Sequence, residues 1–172
     1  MTREHAEHEN DEVDALVRSW TRERPDVDVS SLEIWSRIWR LAQILSHARA
    51  GAYQEHDLAV WEFDVLSALR KLGAPYRASV GQLMRDNHVT SGTMTNRVDR
   101  LAERRFVRRD TDPHDRRSIL VELTDSGRER VDGALSSLAR AESRMLVGLD
   151  DLDRDGLVDQ LRVLLAGQDV DE

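Results

Sequence analysis

The sequence predicts a mainly α-helical fold with one small β-hairpin, and two observations predict it. Apolar residues recur every three or four positions over most of the 172 residues, the period of amphipathic helices. Two short strand-like runs, residues 106–109 and 118–123, flank a segment of turn chemistry (Asp110, Asp112, Pro113). There is no cysteine, which excludes a disulfide scaffold, a thiol nucleophile and a Cys-type zinc site.

Taken in order, Val13, Leu16, Val17 and Trp20 give a first helix that ends before Pro25. Ser30 or Ser31 caps a second helix that runs to about Tyr53. Its apolar residues (Ile34, Trp35, Ile38, Trp39, Leu41, Ala42, Leu45, Ala48) form a stripe wider than one core contact needs. Such a helix lies either deep in a core or between subunits. Asp57 is expected to cap a third helix carrying Trp61, Val65, Leu69 and Leu72, stopped by Gly73, Ala74 and Pro75. Ser79 caps a short helix, Asn87 and His88 turn the chain, and Thr90 or Ser91 caps a helix to about Arg104. Met94, Val98 and Leu101 face inward from it. Thr124 starts a long helix to about Leu149, and an acidic run at 150–155 opens the last helix, with Leu157, Leu161, Leu164 and Leu165.

Short helix, tight turn, polar-fronted helix and Arg-tipped hairpin make a winged helix-turn-helix. The expected organisation is an N-terminal extension with dimerisation helices (1–56), the winged helix-turn-helix (57–124) and C-terminal dimerisation helices (125–172).

Charge placement points to a partner for the middle. The chain carries a net charge of −8, yet residues 77–130 hold 12 arginines against 9 acidic groups. A local basic patch on an acidic protein suits contact with phosphates, although a solvated charge-rich face reads the same way. Thr90, Ser91, Gly92, Thr93, Thr95 and Asn96 are small and polar at a helix start, as entry into a major groove requires. Arg100 follows, with Arg104 and Arg105 expected to reach towards the DNA backbone. In the wing, Asp115 is placed to orient Arg117, beside Arg116, for a narrow minor groove.

Other classes find little support. Gly-x-Ser-x-Gly, phosphate-loop and His-Glu-x-x-His patterns are absent, so no catalytic residue and no cofactor are expected. His5 and His8 form the one His-x-x-His, too little for a metal site to be assigned. No apolar run reaches the roughly 18 residues of a membrane span, and the N-terminus does not read as a signal peptide. A cytoplasmic protein without membrane contact is expected.

From Trp61 to Gly127 the chain resembles the MarR family of transcriptional regulators. The resemblance rests on the helix-turn-helix, then Asp-Pro-His-Asp-Arg-Arg-Ser-Ile-Leu-Val-Glu-Leu-Thr (112–124) and Gly127. It implies a homodimer with interlocked terminal helices, each subunit presenting a winged helix to half of a palindromic operator. Within the family the chain is similar to the urate-responsive branch. Trp20 sits on an added N-terminal helix, and the motifs Trp-Glu-Phe-Asp-Val-Leu (61–66) and Thr-Met-Thr-Asn-Arg (93–97) match. That resemblance implies a ligand set of Trp20, Asp64, Arg97 and Arg109, and urate or a related purine as effector. Asp64 stands among Phe63, Val65 and Leu66, where a carboxylate requires a partner. These residues either form an anion pocket or a structural salt bridge. The alternatives are another aromatic or organic acid, zinc, or a helical interaction module that does not bind DNA.

Overall fold

The structure is a computed structural model that describes residues 10–113 and 118–167. Among the described residues seven helices and three strands follow in the order α1 (Glu12–Glu23), α2 (Leu32–Gln54), α3 (Val60–Lys71), β1 (Arg77–Ser79), α4 (Val80–Asp86), α5 (Ser91–Glu103), β2 (Val107–Thr111), β3 (Ile119–Leu123), α6 (Asp125–Met145) and α7 (Asp151–Ala166). The mainly helical expectation with a small hairpin holds. The chain divides into two compact units at residues 51 and 52, within α2.

In the first unit Asp11 caps α1, accepting from the Val13 and Asp14 amides at 2.8 and 3.1 Å. Arg37 of α2 reaches Asp11 at 2.8 Å, Asp14 at 2.9 Å and Glu33 at 3.1 Å. The Arg37 guanidinium holds the Asp11 carboxyl below the usual carboxylate range. Ile34, Trp35, Trp39, Leu41 and Ile44 all stand exposed along α2, and Leu16 and Trp20 along α1.

The second unit contains one hydrophobic core. Val65, Leu66 and Leu69 from α3, Leu83 from α4, Met94, Val98 and Leu101 from α5, Val121 from β3, and Val131 and Ala134 from α6 are almost fully buried. Tyr53 stacks on Phe63 with ring centroids 4.0 Å apart. The antiparallel sheet has the order β1-β3-β2, with Ala78 opposite Val121 and Arg109 opposite Val121 on the other side. β1 is a strand that the sequence did not announce. Three residues without β-branched alternation carry no strand signal, and only pairing with β3 defines them.

Two further differences are local. α3 begins at Val60 with Ala59 in the capping position, so Asp57 does not cap it. Asp57 adopts φ 56° in the preceding turn and directs its carboxylate to Arg104. The long helix α6 ends at Met145, four residues short of Leu149. Asp150 caps α7, accepting from Asp153 N at 2.7 Å, as the acidic run suggested. Leu157, Val158, Leu161, Val163 and Leu165 of α7 are exposed.

Candidate nucleic-acid interface

The interface is built on α4, the 87–90 turn and α5. The Ser79 hydroxyl accepts from Gln82 N at 3.2 Å and starts α4. Asn87 Nδ2 donates to the Leu83 carbonyl at 2.9 Å, and His88 takes φ 50° to reverse the chain. Thr90, the first of the two cap candidates, accepts from Thr93 N at 3.4 Å, and the Thr90 and Thr93 hydroxyls lie 3.0 Å apart. Burial of Met94, Val98 and Leu101 fixes the rotation of α5 about its axis. Ser91, Gly92, Thr93, Thr95, Asn96 and Arg100 are therefore all left exposed, with Thr90 beside them. A free helix start with small polar side chains offers amide donors to a phosphate and hydroxyl or amide groups to base edges.

The wing is anchored at its base. Thr124 Oγ1 lies 2.8 Å from the Arg105 carbonyl and 3.0 Å from that of Phe106, and it accepts from Gly127 N at 3.0 Å. A Cβ on Gly127 would sit 2.1 Å from the Phe106 carbonyl oxygen, so only glycine lets α6 pass this close to the end of α5. This accounts for the Leu-Thr exit and the glycine three residues later. Across the sheet Arg77 and Arg108 donate to Glu122 at 2.6 and 2.5 Å. Burial pushes the Glu122 carboxyl up, but the two guanidinium groups outweigh it and hold it below the usual range. Asp112 N donates to the Ser118 carbonyl at 3.0 Å near the tip. Asp115, Arg116 and Arg117 lie outside the described residues.

The structure redistributes the remaining arginines. Arg104 turns inward, contrary to the expectation that it continues towards a DNA backbone. It donates to both Glu62 oxygens at 2.8 and 2.7 Å, and to the Asp57 carbonyl at 2.8 Å and carboxylate at 2.5 Å. Glu62, 4% exposed, also accepts from Ala59 N at 2.9 Å. The buried carboxylate of α3 is thus Glu62, whereas Asp64 is exposed. Asp64 was singled out by the resemblance and by its apolar neighbours in the chain; Glu62 has such neighbours too, and the helix rotation that separates the two comes from packing.

Asp64, Arg97 and Arg109 border three different hollows. Asp64 borders one of about 370 Å³ with Ser67, Lys71, Asp86 and His88. Arg97 borders one of about 390 Å³ with Trp61, Thr93, Asn96 and Arg100. Arg109 borders one of about 400 Å³ with Met84, Ser91, Thr95 and Ile119, and donates to Asp99 of α5. Trp20 belongs to the first unit. Trp61 and Asp99, which sequence reading did not single out, are the residues that hold Arg97 and Arg109. Among the described residues no group of three His, Cys, Asp or Glu is placed to hold a metal, and no helix is long and apolar enough to cross a membrane.

A helix-turn-helix with an exposed polar second helix and a β-hairpin wing defines a winged-helix DNA-binding protein. Residues 56–118 match the sequence profile of the MarR family. The transcriptional regulator PecS of Dickeya dadantii is 35% identical over 116 residues, 67% of this chain and 70% of PecS. Sco5413, a MarR-family regulator from Streptomyces coelicolor, superposes with a TM-score of 0.63 at 26% identity, covering 84% of this chain and 99% of its own. BpsR of Bordetella bronchiseptica, whose DNA binding is regulated by 6-hydroxynicotinic acid, superposes with a TM-score of 0.56 at 25% identity, over 74% and 98%. The chain belongs to the MarR family. It is a transcriptional regulator and not an enzyme.

Proposed function

We propose that the chain is a homodimeric repressor that binds a palindromic operator and is released by a small anionic effector such as urate. The observation that carries the DNA reading is the rotation of α5. Three buried apolar residues turn six small or cationic ones outward along one helix face. In this reading Ser91, Gly92, Thr93, Thr95 and Asn96 read the major groove, and Thr90 supports the helix start. Arg100 meets phosphates, and the wing enters the minor groove through Arg116 and Arg117, with Asp115 orienting Arg117. The exposed apolar residues of α1 and α2, and separately of α6 and α7, support two-fold pairing through the regions 1–56 and 125–172.

The urate reading is supported by the resemblance of Trp20, Asp64, Arg97 and Arg109 to the ligand set of the urate-responsive branch. Arg109 already has a carboxylate partner on α5, so an incoming anion competes with Asp99 for it. Loss of that pair frees the wing from the recognition helix and disturbs the register of both on DNA. A second reading replaces urate by an aromatic carboxylate and is favoured by the likeness to BpsR. Anisotropy titration on the duplex upstream of the gene, with urate or 6-hydroxynicotinate then added, separates them. Binding that neither compound reverses removes both effectors and leaves the DNA reading; no binding at low salt removes the DNA reading.

A further inference from the structure

We propose that Trp61 is a positioning residue for DNA binding: its indole holds the guanidinium groups of Arg97 and Arg100 towards the phosphate backbone. The inference rests on the reading that α5 docks in the groove. Trp61 is the second residue of α3, half-buried, with part of its ring packed on the core. The Arg97 and Arg100 guanidinium carbons lie 5.7 and 5.1 Å from the Trp61 ring. Both distances are within reach of a cation–π contact. Positions 97 and 100 are three apart and share one side of α5, so one ring serves both. The hollow beside them is lined by Trp61, Gly92, Thr93, Asn96, Arg97 and Arg100, most of which belong to the exposed polar face.

The contrast with neighbouring arginines gives the contact its meaning. Arg104 is paired with Glu62 and Asp57, Arg108 with Glu122, and Arg109 with Asp99. Neither Arg97 nor Arg100 is in an ion pair among the described residues. A carboxylate partner cancels the charge and must be displaced before a phosphate is met. An aromatic face restrains the guanidinium plane and leaves its charge and its N–H edge available. Two long side chains held in this way lose less freedom when DNA arrives. The acidic overall charge makes such ready cations valuable, because only local groups attract the duplex.

The test uses the full chain and the upstream duplex, with affinity measured by anisotropy at several salt concentrations. Trp61→Leu is expected to weaken binding about fivefold, and Trp61→Phe by less, following ring strength. The slope of log Kd against log salt stays unchanged in both, because the charges remain. Arg100→Ala lowers that slope by about 1. In an Arg97→Ala, Arg100→Ala background, Trp61→Leu changes affinity by less than about twofold, since the groups it acts through are gone. Thermal melts confirm that each variant is folded at the assay temperature, and Trp61→Phe keeps the comparison if Trp61→Leu does not fold. Wild-type affinity in Trp61→Leu, or the same loss with and without the two arginines, overturns the proposal. Failure of the wild-type chain to bind the duplex overturns the docking reading instead, and this inference with it.

Discussion

Glu62→Gln is the substitution whose cost can be worked most directly from the structure. The Glu62 carboxylate is nearly inaccessible and takes three hydrogen bonds, one from Ala59 N and two from a single Arg104 nitrogen. Arg104 in turn lies 4.5 Å over the Phe106 ring, at the junction of α5 and the wing. Removing one partner of a fully buried pair costs about 3–5 kcal/mol, because a buried charge is left without compensation. Here the Arg104 side chain is 32% exposed, and Asp57 remains as a second carboxylate. Both facts halve the penalty, to about 2 kcal/mol. For a chain of this length that corresponds to a fall in Tm of about 4–8 °C. The assay is thermal unfolding of wild type, Glu62→Gln, Arg104→Met and the double variant at one chain concentration, so that any self-association weighs equally on each melt. The double variant should lose clearly less than the sum of the singles, with a coupling above about 1 kcal/mol. A Glu62→Gln protein within about 0.5 kcal/mol of wild type, or strictly additive losses, would refute the reasoning.

The other expectations follow from the same geometry. Gly127→Ala places a methyl group against the Phe106 carbonyl and should cost about 1–3 kcal/mol in urea unfolding; unchanged stability would mean that α6 can move away freely. Glu122 has a folded-state pKa below its ordinary 4.5, so its contribution is present above that value and lost as pH falls through the lower one. Glu122→Gln should therefore flatten the acid limb of the stability curve, and an unchanged limb would remove the Arg77–Glu122–Arg108 cluster from the account. Asn96→Ala should narrow the preference for operator over random duplex by about 1–3 kcal/mol while leaving the salt slope intact. A uniform loss on both duplexes would make Asn96 a phosphate contact.

Local chemistry made much of the fold legible in the sequence. Ser79 and Thr124 cap the helices they were expected to start, Thr90 does so as one of two candidates, and Asp150 does so from within the acidic run, because a hydroxyl or carboxylate at a helix start satisfies amides within three residues. The hairpin and the inward trio Met94, Val98 and Leu101 were equally visible, since periodicity is a property of neighbours in the chain. The polar face of α5 follows from that trio by subtraction.

What the tertiary structure decided are the pairings between residues far apart in sequence. β1 became a strand only because β3 lies alongside it. Asp57 left its capping role for Arg104, a residue 47 positions away. Glu62 and Asp64 look alike in sequence, yet two positions on a helix differ by about 200° of rotation, which buries one and exposes the other. The resemblance pointed to Arg97 and Arg109 as members of one ligand set with Trp20 and Asp64, but which groups hold them, Trp61 and Asp99, depends on how α3 and the wing pack against α5. Sequence thus determined the elements, the caps and the charge of the middle segment through short-range chemistry. The tertiary structure decided which arginines are bound to carboxylates and which stay available, because Coulomb and cation–π contacts act over a few ångströms of space, whatever the separation along the chain.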